Sequence, residues 1–152
     1  MDLGRTSIEE LFQFAATIEQ GGLEFYSRLI QASENKRVNN ELSFLRDEEA
    51  RHRTFFLSEL KKKGKTEVAL SPALSSALEE QFIRPLEEFY RSQKIGDNVA
   101  ALRFGMTVEQ KTIDFYGDLR RQSRDPGFLK DLDVIVEQEK KHKQKLNLLL
   151  AY

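Results

Sequence analysis

Apolar residues recur at steps of three and four through four long stretches of the chain, the period of a helix that buries one face. In the first stretch the stripe is Leu11, Phe12, Ala15, Gly22, Phe25, Tyr26, Leu29 and Ile30. Ser7 stands ahead of it with Glu10 three residues on, the spacing of a capping box, so a helix should open there. Polar residues around Glu34 interrupt the period, and a second stripe follows through Leu42, Leu45, Phe56 and Leu60. Lys61-Lys62-Lys63-Gly64 ends it, with cations near the negative end of the helix and a glycine just beyond. A third stripe, Leu102, Gly105, Thr112, Tyr116 and Leu119, starts behind Asp97 as its cap. Arg124-Asp125-Pro126-Gly127 reads as a turn that places proline first in a fourth helix, which carries Leu129, Leu132, Ile135, Leu146 and Leu149. Between the second and third stripes, Pro72, Pro85 and Gly96 break the pattern while Leu74, Leu78, Phe82, Leu86 and Phe89 keep a helical step. The expectation there is a crossover with one short, broken helix, bent near Pro85. The chain therefore reads as one all-α domain, a four-helix bundle of two antiparallel hairpins with helices over about 7–33, 37–63, 98–122 and 126–150 and a crossover over about 64–97.

Each apolar stripe also carries groups that do not belong in a core. Glu19 lies on the first, Glu49 and His52 on the second, Glu109 on the third, and Glu139 and His142 on the fourth. The chain has only two histidines, and each stands three residues after a glutamate, in Glu49-Ala-Arg-His52 and Glu139-Lys-Lys-His142. A further glutamate stands thirty residues before each, so the whole pattern repeats at an offset of ninety. The spacing has a geometrical meaning. In an antiparallel pair, residues equidistant from the turn lie at one level, and the midpoints of Glu19 with Glu49 and of Glu109 with Glu139 are residues 34 and 124, the two expected turns. Both hairpins then set two carboxylates face to face, roughly 22 Å from the turn at a rise of about 1.5 Å per residue. The step of three puts each histidine beside its glutamate.

Composition narrows the chemistry. With no cysteine, the chain has no thiolate metal site, rubredoxin-type iron centre or thiol nucleophile, and any metal falls to carboxylate and imidazole. A net charge of -1, from 24 basic and 25 acidic residues, gives no broad electrostatic argument for nucleic acid or an anionic membrane as partner. No apolar run approaches the roughly twenty residues that span a bilayer, and the N-terminus lacks a basic stretch followed by an apolar one, so a cytoplasmic location is expected. An isolated Glu-x-x-His on a helix is ordinarily a surface pair. Four buried glutamates would each cost several kcal/mol or be forced to protonate. Two divalent cations would bring the charge sum to zero, with the two imidazoles as neutral ligands, so the pattern reads as one metal site built twice. Carboxylate with imidazole suits iron, manganese and zinc alike.

The residues resemble the ferritin-like di-iron family and, within it, the rubrerythrin group. The resemblance rests on Glu19-Gln-Gly-Gly-Leu-Glu-Phe-Tyr26, Glu49-Ala-Arg-His52, Glu109-Gln-Lys-Thr-Ile-Asp-Phe-Tyr116 and Glu139-Lys-Lys-His142, and it covers both hairpins. It implies two iron ions, with Glu49 and Glu139 bridging them, Glu19 and Glu109 terminal, and His52 and His142 each on one metal. Two departures matter. Rubrerythrins usually carry a rubredoxin-like domain with four cysteines, absent here, so reducing electrons are expected from an external donor protein. They also tend to have another glutamate three residues after the third-helix ligand, where this chain has Thr112, which makes the site more symmetric and closer to a bacterioferritin-like arrangement.

Tyr26 and Tyr116 follow the terminal glutamates by two helical turns and so stay on the inner face. They read either as hydrogen-bond donors or redox-active phenols beside a metal ligand, or as ordinary packed tyrosines. Gly21 and Gly22 each cost a helix roughly 1 kcal/mol relative to alanine, which close helix packing explains better than an oxidant channel. Glu24 and Asp114, also ninety apart, point off the stripe to a solvated face. Phe82, Phe89 and Tyr90 either cover the bundle or bury in a second copy, as a homodimer. The leading functional expectation is a non-haem di-iron oxidoreductase that reduces hydrogen peroxide or dioxygen. The alternatives are an iron-storage protein and a bundle clamped by structural zinc or manganese.

Overall fold

The computed structural model describes Leu3 and residues 6–152. Four long helices, α1 (Ile8–Ala32), α2 (Lys36–Lys62), α5 (Asn98–Gln122) and α6 (Pro126–Leu149), form the bundle, and no strand occurs among the described residues. The hairpin turns are single linkers between two caps: Asn35 accepts from the backbone of Arg37 and Val38, and Asp125 from Gly127 and Phe128. α1 packs on α2 and α5 on α6. The architecture is a ferritin-like all-α bundle of two hairpins.

The crossover contains α3 (Pro72–Leu78) and α4 (Arg84–Arg91), joined without leaving helical geometry by one wider turn, Glu79–Ile83. In that turn the Arg84 N–H bonds back five residues, to the Glu79 carbonyl. The break expected near Pro85 takes this form. Proline has no N–H to give the Gln81 carbonyl four residues earlier, and the Lys111 ammonium of α5 donates to that carbonyl instead, at 3.0 Å. Leu74, Leu78, Phe82, Leu86 and Phe89 are buried against the bundle. The apolar face of the crossover thus covers α1, which explains why Phe14 and Ile18 are buried off the main stripe. Phe14 lies between Phe82, edge-on at 6.0 Å, and Phe115, stacked at 4.5 Å. Tyr90 is half-buried, with the Arg28 guanidinium 4.0 Å from its ring centre.

Two apolar clusters fill the bundle, one towards each end. The first includes Phe12, Phe14, Phe56, Phe115 and Leu132, and the second includes Phe25, Leu42, Leu45, Leu102 and Leu146. Burying such side chains is worth roughly 1.5–3 kcal/mol each, and this is what holds the polar layer between them in place.

Glu10 ties the crossover to the start of α1. Its carboxylate accepts from the Ser7 backbone at 3.2 Å, completing the capping box, and from the Ser71 backbone at 2.7 Å. These bonds, that from Ser71 foremost, outweigh partial burial and lower its pKa. A depressed folded-state pKa gives stability that is present above the unfolded value and lost as pH falls through the folded one. Glu10→Gln is expected to destabilise the protein by about 1–2 kcal/mol at neutral pH, with the gap narrowing below pH of about 4. Chemical denaturation at several pH values measures this, and a pH-independent gap would contradict it.

Candidate metal centre

The six residues of the repeated pattern converge midway along the bundle. Glu19 comes from α1, Glu49 and His52 from α2, Glu109 from α5, and Glu139 and His142 from α6, and none is more than 4 % exposed. Two overlapping groups have ligand atoms within 4.8 Å of one another: Glu19, Glu49, His52 and Glu139, and Glu49, Glu109, Glu139 and His142. Glu49 and Glu139 belong to both. The helix period explains this arrangement, because the step of three puts acid and imidazole on one face of α2 and again of α6.

Each histidine reaches across to the opposite hairpin. His52 Nδ1 lies 2.6 Å from Glu139 Oε1, and His142 Nδ1 lies 2.9 Å from Glu49 Oε1. The rings run nearly parallel, 14° apart, with centres separated by 6.0 Å. Their Nε2 atoms point away from the cluster, that of His52 to Gln138 Oε1 at 2.6 Å and that of His142 to Glu48 Oε1 at 3.3 Å. An outward Nε2–H fixes the tautomer that leaves the Nδ1 lone pair facing the carboxylates.

The tyrosines also cross between hairpins. The Tyr26 hydroxyl of α1 donates to Glu109 of α5 at 2.5 Å, and the Tyr116 hydroxyl of α5 donates to Glu19 of α1. Both hydroxyls are thus satisfied by cluster carboxylates, an arrangement common to the two readings the sequence leaves open. Gly22 makes room for a cluster carboxylate: a methyl group at its Cα would lie 2.7 Å from Glu49 Oε2. Gly21 meets Leu86 of the crossover, so both glycines serve close packing. Thr112, ninety residues after Gly22, turns its hydroxyl back to the Val108 carbonyl at 3.0 Å. Glu24 and Asp114 are exposed and accept from Gln20 and Gln110 one turn earlier.

Burial pushes the Glu49 and Glu139 carboxyls well above the ordinary range, and the neighbouring carboxylates, among them Glu19 and Glu109, push them further. Burial acts on Glu19 and Glu109 in the same direction but is outweighed. Hydrogen bonds with Glu49, His52 and Tyr116 hold Glu19 down, and those with Glu139, His142 and Tyr26 hold Glu109 down. For His52, burial is likewise overcome, here by Glu19 and Gln138, and its pKa rises. Burial and the carboxylate charges hold both phenols well above 10.

The residues fit a pair of metal ions. One oxygen each of Glu19, Glu109 and Glu139 is buried without a hydrogen-bond partner, a costly state that a coordinated cation would relieve. The donors are carboxylate oxygen and imidazole nitrogen, the set that suits iron, manganese and zinc. Ligation needs deprotonated carboxylates, so filling the cluster is expected to release protons, and affinity is expected to rise with pH. Calorimetric titration in buffers of different ionisation enthalpy counts those protons, and uptake with none released would contradict the assignment.

Fold and cluster together define a ferritin-like bundle built around a buried carboxylate–imidazole cluster that fits a metal site. The rubrerythrin family model matches residues 10–150, and the chain belongs to the rubrerythrin family. Searches of curated proteins and of solved structures return no match. No helix among the described residues is long and apolar enough to cross a membrane. Glu48 and Gln138, the partners of the outward imidazole nitrogens, lie outside the repeated Glu-x-x-His pattern. A signal was present: each directly precedes a repeated glutamate, and the two stand ninety residues apart.

Proposed function

We propose that this chain is a non-haem di-iron oxidoreductase whose substrates are small oxidants, hydrogen peroxide or dioxygen. The observation that carries the reading is the pair of overlapping ligand groups sharing Glu49 and Glu139 inside a rubrerythrin-family fold. Glu19 and His52 would complete one position and Glu109 and His142 the other. A ferrous pair held by these residues would supply two electrons, enough with two protons to take hydrogen peroxide to two waters.

The protein's own groups set the conditions for that chemistry. Apolar clusters on either side exclude water from the carboxylate layer. Tyr26 and Tyr116 fix Glu109 and Glu19 in orientation and hold hydroxyl protons beside them. A cleft of about 350 Å³ between α2 and α6, lined by Phe44, Leu45, Glu48, Gln138, Lys141, His142 and Lys145, reaches the outer edge of the His142 ring. The ligand atoms behind that ring are nearly inaccessible, which suits an oxidant as small as hydrogen peroxide or dioxygen and disfavours a bulky organic substrate. Since the chain has no cysteine, re-reduction is assigned to an external donor protein.

Matched anaerobic ferrous samples exposed to peroxide and to dioxygen test the proposal. Faster oxidation by peroxide, with iron retained over repeated cycles, is the expected result. Preference for dioxygen with iron leaving the protein would assign it to storage, and inertness to both oxidants would leave the metal a structural role.

A further inference from the structure

The two halves of the cluster match residue for residue at the ninety-residue offset, Glu19 with Glu109, Tyr26 with Tyr116, Glu49 with Glu139 and His52 with His142. The match fails at the group that accepts from each outward imidazole nitrogen. His142 Nε2 faces the carboxylate of Glu48 at 3.3 Å, whereas His52 Nε2 faces the neutral amide oxygen of Gln138 at 2.6 Å. Both partners come from the opposite hairpin, and Glu48 is 8 % exposed.

We propose that Glu48 and Gln138 make the two metal positions inequivalent, so that the position served by His142 fills before the one served by His52. The inference rests on the dinuclear reading above and deepens it. A hydrogen bond to an ionised acceptor is roughly twice as strong as one to a neutral acceptor, and it leaves more electron density on the far ring nitrogen. His142 Nδ1 is therefore the better donor to a cation. The longer separation at Glu48 does not reverse the order, because the pull of a full charge falls only inversely with distance and is weakly screened where the group is buried. Of the two lysines that line the cleft beside Glu48, Lys141 and Lys145, the second is engaged elsewhere, bonded to Glu41 at 2.8 Å. Glu48 and Gln138 are positioning residues, acting on the metal only through the rings.

Cobalt(II) is the probe, titrated into metal-free full-length protein and followed by calorimetry and by proton NMR. The Nε2–H of a histidine bound through Nδ1 to cobalt gives its own strongly shifted exchangeable resonance, and the one that moves in Glu48→Gln belongs to His142. At one cobalt per chain the His142 resonance should exceed that of His52 about tenfold or more, the scale on which hydrogen-bond partners of metal-bound histidines change affinity. Glu48→Gln should cut that ratio by about tenfold, and the exchanged double variant Glu48→Gln/Gln138→Glu should favour His52. These changes are isosteric. Should Glu48→Gln not fold, Gln138→Glu alone should raise His52 to near-equal filling. Two cobalts binding with a ratio that neither variant moves, or with His52 filled first in the unaltered protein, would overturn the inference while leaving the dinuclear site standing. No cobalt uptake at all would overturn both.

Discussion

Glu49→Ala is expected to abolish binding at both metal positions, whereas Glu19→Ala is expected to remove only one. The difference follows from membership: Glu49 supplies an oxygen to each of the two ligand groups, and Glu19 to one. Removing Glu49 also takes away the inner partner of His142, 2.9 Å away, so the ring loses its fixed direction. Glu139→Ala should behave like Glu49→Ala, since it stands in the same relation to His52 at 2.6 Å. The effect should be large in stability as well. Metal at about a thousand times its dissociation constant adds about 4 kcal/mol to the folded state, which for a chain of this size raises the melting temperature by roughly 10 °C. Thermal unfolding with and without metal measures it. Glu49→Ala should show no such rise, and a rise equal to that of the unaltered protein would exclude Glu49 as a shared ligand.

Gly22→Ala separates the stability of the bundle from the geometry of the site. The added methyl would lie 2.7 Å from Glu49 Oε2, closer than such atoms come, and a tight 3.3 Å from its Cδ. The carboxylate, at the end of a flexible side chain, can swing aside at small cost to the fold. Replacing glycine by alanine inside a helix meanwhile returns up to about 1 kcal/mol. The metal-free variant should therefore be as stable as the parent or slightly more so. Binding should weaken at both positions, by about 10–100-fold, because a shared ligand has been moved off its place. Denaturation of the metal-free form paired with calorimetric titration reads both quantities. Loss of stability with unchanged affinity would show that Gly22 serves helix packing alone.

Much of this architecture was legible in the chain. Helical stripes can be read because apolar periodicity survives even where acids interrupt it, and the caps at Ser7 and Asp97 and the proline Pro126 announce three of the four long helices. The six cluster residues stood out because buried glutamate and histidine are out of place in a core and recur at one offset. Less legible was what depends on contact between distant segments. Phe14 and Ile18 lie off the main stripe of α1, and their burial depends on distant segments, Phe14 being held between Phe82 of the crossover and Phe115 of α5. At Pro85 the helix continues through one wider turn, Glu79–Ile83, and Lys111, from another helix, bonds the carbonyl that proline cannot. Glu48 and Gln138 look like ordinary polar helix positions until the opposite hairpin brings an imidazole to each. Gly22 could be read as a packing glycine, but its specific neighbour, Glu49, belongs to the fold.

The central claim is that Glu19, Glu49, His52, Glu109, Glu139 and His142 hold two metal ions between them. Anaerobic titration of the metal-free protein with ferrous iron tests it most directly, with the ferric near-ultraviolet absorption read after oxidation. The account predicts saturation at about two irons per chain, lost in Glu49→Ala and in Glu139→Ala. Binding that does not saturate, or a stoichiometry that these substitutions leave unchanged, would contradict it.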